Sequence, residues 1–471
     1  MTARLYHPPA TAPAGIVHLG LGAFFRAHVA SYISQAMQQH GGDWGVIGVS
    51  LQSPGVRDRL RPQGWAYTAV ELAPDGEKPQ VMTLLRDVLV APENPQAVLD
   101  AMAAPDVSIV SLTVTEKGYC HEPATGRLDT GHPDIVHDLE QALPKSAPGY
   151  LVRALQLRHA RGLPPFTVLC CDNLPENGRV VRSVVLGMAQ LIDPALADWI
   201  DTHGAFPSTM VDRIVPATTP DDLDRVATLT GARDEAPVMH EPFRQWVVED
   251  RFCGPRPKWE AAGAQMVADV TPFEHMKLRM LNGTHSSLAY LGYLAGHQTI
   301  ASVMADPAFV SYVRHLWQAE IIPTLIPPEN TDLGAYADAL ATRYANPSIR
   351  HRTWQIAMDG SQKLPQRILG TIADNRAAGR GCAGLILAVA AWMRYTSGKD
   401  ENGTPIEVKD PLAPRLAALW HDDPRQTVAG FLALSEIFPE PLRNDADFAA
   451  ELAQALSGLC AHGAGVMVTH V

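Results

Sequence analysis

Residues 16–37 read IVHLGLGAFFRAHVASYISQAM. Residues 16–19 are a short apolar run ending in Gly20-Leu21-Gly22, and apolar positions then recur at Phe25, Val29, Tyr32, Ile33 and Met37. A buried strand, a glycine turn and an amphipathic helix in that order open a dinucleotide-binding unit, in which free N–H groups at the helix start hold a pyrophosphate. Phe25 stands where the usual fingerprint has its third glycine, so the glycines alone are a weak signal. Their place at the first strand and helix of the chain gives them weight. Gly20, Gly22, Phe24, Phe25 and Arg26 are the candidate cofactor contacts. A second strand is expected over residues 45–49. Ser50 and Leu51 follow it where an acidic residue normally grips the adenosine ribose, so Ser50 joins the set without choosing between NAD and its phosphorylated form. Arg57 and Arg59 lie just beyond, as a 2'-phosphate contact or, more plainly, a solvated face.

Outward from this unit, residues 67–72 and 81–90 alternate like extended segments, and residues 97–102 read as a helix. VSIVSLTV at 107–114 is a β-branched run of the kind buried on both faces of a parallel sheet. It delivers Thr115, Glu116, Lys117 and Gly118 to the carboxyl edge, where ligands of open α/β sheets lie. Residues 166–171 deliver Asp172 and Asn173 in the same way. Asn177 is a candidate helix cap, and Asp172 reads as a turn residue. Asp212 beside Arg213 suggests a local ion pair, and residues 245–250 and 264–270 read as late strands closing the first domain. From Pro272 onward helical windows dominate. The expected class is α/β, with an N-terminal Rossmann-type dinucleotide-binding domain over 1–268 and a mainly α-helical C-terminal substrate domain over 269–471. Helices are expected at 274–282, 286–295, 307–322, 333–345, 351–357, 367–375, 381–395 and 445–461, among others.

Composition narrows the function. A chain of 471 residues with 46% apolar and 19% charged residues is ordinary for a globular enzyme. A formal charge of -12 argues against nucleic acid, whose phosphates need a basic surface. The six cysteines show no CxxC spacing and read as reduced thiols of a cytoplasmic protein. MTARLYHPPATAPAG lacks the apolar core of an export signal. The longest apolar run, residues 383–393, is short of the ~20 residues a membrane span needs and reads as a buried helix. No HExxH or paired CxxC is present, so no metal is expected.

Residues 277–285 read KLRMLNGTH. On an α-helix Lys277, Asn282 and His285 fall within an arc of roughly 140° and a rise of ~12 Å, close enough for a long lysine stem to join them. Amine, carboxamide and imidazole facing one cleft suit proton transfer to an alcohol that exchanges a hydride with a cofactor. The plainer reading is a surface lysine, a helix-terminal asparagine and a satisfied core histidine.

Taken together, GLGAFFRAH, TEKGYC, CDNLPENG, FPSTMVDRIVP and KLRMLNGTH resemble the long-chain mannitol dehydrogenase family of polyol and sugar-acid oxidoreductases, in order and along the whole chain. SLTVTEKGYC, EPFRQW and RHRTWQIAMDGSQKLPQR are most similar to its fructuronate reductase (mannonate oxidoreductase) branch. The resemblance implies zinc-independent, NAD-dependent catalysis within hexuronate catabolism. It makes Lys277 the general acid/base, has Asn173 and Asn282 polarise the carbonyl oxygen, and has His285 and Asp212 orient hydroxyls. A lysine acts as a base near neutrality when burial favours its uncharged form, and two carboxamides aimed at a developing alkoxide stabilise it without a metal. A sugar acid also needs a cation for its carboxylate, from Lys117, Arg352, Lys363 or Arg367, and the last two share a helical face. Gln355 and Lys117 stand where the polyol enzymes are expected to carry arginine and glycine, which favours an acid over a neutral polyol. The expected partner is a small sugar acid or polyol, with no membrane and no nucleic acid, and the chain is expected to be a monomer or homodimer.

Other classes fit less well. Hydroxyacid and 6-phosphogluconate dehydrogenases also join an early GxG to a helical domain, but lack CDNLPENG and FPSTMVDRI. The YxxxK of short-chain dehydrogenases is matched by Tyr395 and Lys399, far from the glycine turn. A non-catalytic nucleotide sensor would have lost its proton-transfer group, whereas Lys277, Asn173, Asn282 and His285 are all present.

Overall fold

The computed structural model describes residues 3–122 and 125–471. Two compact units divide the chain, Met1–Thr271 and Pro272–Val471.

The first unit is organised by a five-stranded parallel sheet. Its order across the sheet is Leu85–Val90, Gly45–Ser50, Ala14–Leu19, Ile109–Leu112 and Thr167–Cys170. In chain order that is 3-2-1-4-5, the Rossmann arrangement, with the switch point between Ala14–Leu19 and Ile109–Leu112. Side chains alternate across the pleat, so successive residues load different cores. Val17, Val110, Leu112 and Val168 join the helices Pro95–Met102, Ala147–Ala160 and Asn177–Ile192 on one face. Ile16, Val46, Ile109 and Leu169 join Val29–His40, Trp246 and Trp259 on the other. Burial on both faces is why these strands read as continuous apolar runs.

Two sequence expectations change. Residues 81–90 are not one extended segment: Gly76–Met82 pairs antiparallel with Tyr67–Ala73 in a separate three-stranded sheet, and only Leu85–Val90 enters the central one. Gln245–Glu249 and Gln265–Val267 are strands where late strands are expected, and they form a further sheet with Thr209–Asp212. The first helix is broken into Ala23–Ala27 and Val29–His40 at His28. That imidazole is fully buried, bonds the Gln245 carbonyl at 2.9 Å and packs among Phe24, Tyr32 and Trp246, which pins the chain out of helical geometry.

The second unit is helical, and among the described residues its only β contacts are isolated bridges. The apolar run reads correctly as a buried helix, Ala383–Thr396, which packs against Thr284–Leu294 and Ala446–His462. Three expected α-helical windows contain wide i→i+5 turns instead, at Lys277–Gly283, Leu316–Ile321 and Pro365–Leu369. Pro365 brings no N–H to an α-helical ladder, which accounts locally for the third.

Gly20 is the residue the glycine turn cannot replace. Its φ is +90°, and a Cβ there would stand 2.1 Å from the Thr113 carbonyl oxygen of the neighbouring strand edge. Left-handed backbone and a clash with main chain add together. Gly20→Ala should therefore lower unfolding free energy by about 2 kcal/mol or more, read as a fall in the urea midpoint at unchanged m-value; an unaltered midpoint would contradict the geometry.

Candidate active site

In the first unit the candidate residues gather along the carboxyl edge of the parallel sheet. Gly22 precedes the Ala23–Ala27 helix and is exposed; a Cβ there would meet only the Gly20 oxygen, at 3.7 Å, so the backbone stays open to close approach. His18 supports this turn from beneath. Its ring bonds Ser111 Oγ at 2.9 Å, Thr113 Oγ1 at 2.9 Å and the Gly20 carbonyl at 3.2 Å, and stacks on Phe25 at 3.6 Å. Burial lowers its pKa to about 3, so the ring is neutral.

Phe25 and Arg26 depart from the cofactor-contact expectation. Phe25 is fully buried against His18, and Arg26 is turned inward, donating to the carbonyls of Ala236 at 2.5 Å and Gly22 at 3.3 Å. Phe24 is half-buried and stacks on His28. Ser50 ends its strand and donates to the Ser53 carbonyl at 2.6 Å. Arg57 is held by Asp58 and Glu93, not left facing solvent alone.

Thr115, Glu116 and Lys117 are exposed beyond Ile109–Leu112, and Asn173 is exposed beyond Thr167–Cys170. Thr115 has a φ of +66°, an unfavourable conformation for a β-branched residue. Asp172, read from sequence as a turn residue, holds this edge: its carboxylate accepts from Val114 N at 2.7 Å, Thr115 N at 3.3 Å and Tyr119 OH at 2.5 Å. Burial nonetheless raises its pKa. Asn177 is not the helix cap. Glu176 takes that place at φ +47°, while buried Asn177 donates to the carbonyls of Asp172 and Thr209 and accepts from Thr209 N. One carboxamide thus ties the Asn173 loop to the strand bearing Asp212. Arg213 is directed at the carbonyls of Glu241 and Ala27.

In the second unit Lys277, Asn282 and His285 surround the wide turn Lys277–Gly283. An i→i+5 repeat sets position i+5 nearly above position i, so Asn282 lies closer to the Lys277 side of the helix than the α-helical estimate allowed. Wide turns leave carbonyls to be satisfied otherwise, and here other side chains do so. The Met280 oxygen accepts from Trp317 Nε1 at 2.9 Å and Thr284 Oγ1 at 2.6 Å, and the Leu281 oxygen from Tyr344 OH at 2.8 Å. Gly283 allows the Pro365–Leu369 turn to pack alongside, since a Cβ there would lie 2.7 Å from the Arg367 carbonyl.

His285 is buried, stacked on Tyr344 at 5.1 Å and edge-on to His351 at 4.6 Å. Its pKa is driven well below the usual value by burial first, then by His351, Arg367, Arg343 and Lys363. The ring is therefore neutral, and the charges of Arg367, Arg343 and Lys363 act on it. Arg367 also donates to Ser286 Oγ at 3.1 Å, and Lys363 to the Met358 carbonyl at 2.6 Å. Two of the four candidate cations are thus gathered at His285. Arg352 is exposed and is not among the charges acting on His285, whereas the adjacent His351 packs edge-on against that ring. Arg343 and Tyr344 were missed because they end a helix, Leu333–Tyr344, with no motif of its own. Tyr395 is buried among Tyr290 and Tyr293, consistent with an accidental YxxxK. Among the described residues no group of three or more His, Cys, Asp or Glu side chains could hold a metal ion, and no helix is long and apolar enough to cross a membrane.

Five buried imidazoles have lowered pKa values: about 3 for His18 and His28, about 4 for His240 and His351, and well below 6.5 for His285. In the unfolded chain each takes up a proton near pH 6.5, while the folded chain binds none until about pH 4 or lower. The unfolded state binds more protons in that window, so stability is complete above pH 6.5 and falls as the pH drops. Denaturant unfolding at pH 7.5, 6.5 and 5.5 should show a progressive loss steepening toward about 1.4 kcal/mol per pH unit for each histidine; constant stability down to pH 5 would contradict neutral burial.

Comparison with known proteins agrees with this organisation. Residues 14–261 match the mannitol dehydrogenase Rossmann domain and residues 269–460 the mannitol dehydrogenase C-terminal domain. The chain is 49% identical over 458 residues to the D-mannonate oxidoreductase of Escherichia coli (strain K12), covering 95% of this chain and 94% of that protein. It is 48% identical over 453 residues to the uncharacterized oxidoreductase YeiQ of the same organism, covering 95% and 93%. The structure of Pseudomonas fluorescens mannitol 2-dehydrogenase in ternary complex with NAD and D-mannitol superposes with a TM-score of 0.87 at 38% identity, covering 100% of this chain and 96% of that one. The chain belongs to the mannitol dehydrogenase family of oxidoreductases.

Proposed function

We propose that the protein interconverts D-fructuronate and D-mannonate with NAD(H), using Lys277 as general acid/base and no metal. The observation that carries the acid substrate is the set of Arg343, Lys363 and Arg367 around the neutral ring of His285. Three cations about one buried imidazole suit a carboxylate, which guanidinium groups bind by paired N–H donors. The likeness to a D-mannonate oxidoreductase supports the same reading.

The glycine turn fits a dinucleotide. Gly20 and Gly22 leave main chain approachable, with helix N–H groups behind Gly22 to meet a pyrophosphate. Arg57 is already paired with carboxylates, which favours the cofactor without a 2'-phosphate. NAD, when bound, accepts or supplies the hydride.

The remaining chemistry belongs to the chain. Lys277, only 8% exposed, gives a proton to the nascent alkoxide during reduction and removes it during oxidation. Asn282 and Asn173 donate N–H bonds to the same oxygen, stabilising charge as it develops. His285 and Asp212 orient the substrate hydroxyls; being uncharged, His285 does this without competing with the cations for the carboxylate.

Two measurements test the proposal. In an absorbance assay of NADH consumption, fructuronate should be turned over at least an order of magnitude more efficiently than fructose or xylulose, with tagaturonate as the acid control. Turnover of fructose but of neither uronate would reject the acid reading. Lys277→Ala should reduce kcat by roughly 10²–10⁴-fold while NADH affinity, followed by fluorescence titration, stays within about twofold of the unmodified enzyme; undiminished turnover would reject the role of Lys277.

A further inference from the structure

A second cationic site lies wholly within the first unit. A cavity of about 280 Å³ opens between the helix Val29–His40, the Tyr67–Ala73 and Gly76–Met82 ribbon, and the segment 240–244. Arg213 and Arg244 both line it. Arg213 is 8% exposed, and its Nε and Nη1 donate to the carbonyls of Glu241 at 3.0 Å and Ala27 at 2.6 Å. Arg244 lies 4.3 Å over the Tyr32 ring and uses Nη2 on Gln35 Oε1 and the Ala262 carbonyl. Main-chain and amide oxygens hold both guanidinium groups in place, but neither arginine has a carboxylate partner. The one carboxylate in the wall, Glu71, is paired with Lys78 at 3.4 Å.

The buried carboxylate of Glu241, which accepts from Ile214 N at 2.6 Å, and that of Glu71 both act on Arg213 and offset part of this charge, but with Lys78 also in the wall the cations outnumber them and the cavity stays net positive. Two like charges in a partly dry space repel each other, and a bound anion relieves that repulsion. Arg213 registers this strain: burial and the neighbouring Arg244 lower its pKa to about 10. The fixed fork of each guanidinium presents its remaining N–H groups to a planar or tetrahedral oxyanion. His240 adds a complementary feature. It is neutral, its pKa lowered to about 4, and with Nδ1–H donating to the Glu241 carbonyl at 2.9 Å its Nε2 is an acceptor for a hydroxyl.

The geometry points to a binding site for a small oxyanion, a phosphate or hydroxycarboxylate carrying at least one hydroxyl, between Arg213 and Arg244. This site uses none of the residues assigned above to proton transfer or to holding the substrate.

The test uses enzyme saturated with NADH, so that the glycine turn is filled, at constant ionic strength set with chloride. Inorganic phosphate and citrate are titrated separately, and the rise in thermal midpoint is fitted to a dissociation constant; the arm giving tighter binding identifies the class. Arg244→Gln should weaken that binding at least tenfold, and Glu71→Gln, which removes the carboxylate lining the cavity, should tighten it several-fold. Arg367→Gln, altered at the other cationic cluster, should leave it unchanged. Glu71 is half-buried and among the described residues its carboxylate forms an ion pair only with the exposed Lys78, so that variant keeps the test usable if Arg244→Gln does not fold. The site is refuted if neither anion shifts the midpoint, if Glu71→Gln leaves binding unchanged, or if Arg367→Gln abolishes it.

Discussion

The wide turn from Lys277 to Gly283 is the constraint on which the second unit is built. An i→i+5 ladder is less favourable than an α-helix because carbonyls lose their usual donors. Here Trp317, Thr284 and Tyr344 replace those donors, and each is buried and fixed by packing. The turn thus persists because distant elements complete it. In return its wider spacing sets Asn282 nearer the Lys277 side of the helix than α-helical spacing would. Tyr344 acts twice, capping Leu281 through its hydroxyl and stacking its ring on His285.

A comparable division of labour holds in the first unit. The exposed groups at the carboxyl edge of the sheet are short and partly main chain: Gly22, Thr115, Asn173. Those holding them are buried and polar: His18 beneath the glycine turn, Asp172 across two strand ends, Asn177 between two loops. Positive φ at Thr115 and Glu176 shows that these loops sit in conformations their residues do not choose alone. Hydrogen bonds to Asp172 and packing of the following helix supply the difference.

Much of this was legible in the sequence, for definite reasons. The strands at 16–19, 45–49, 107–114 and 166–171 announce themselves because burial on both faces demands β-branched runs, and the glycine turn because only glycine tolerates Gly20's backbone. KLRMLNGTH was found through the chemistry of its side chains, although its helical type was misjudged: nothing local marks a wide turn whose missing donors come from Trp317 and Tyr344. The same limit hid Arg343, since a charged residue's inward or outward direction is decided by tertiary packing. Arg26 was misread for a similar reason. Its neighbours suggested a ligand, while its actual acceptor, the Ala236 carbonyl, lies far along the chain.

The alternating pleat of the central sheet also bears on how this chain tolerates drift. Val17 and Ile16 are adjacent by covalent bond yet load separate cores, whereas Val17, Val110 and Val168 share one although some 150 positions divide the first from the last. Substitutions at sequence neighbours there act nearly independently, and those at remote members of one layer compensate or aggravate each other. Heredity in this protein is thus coupled by pleat and layer, not by proximity along the polypeptide.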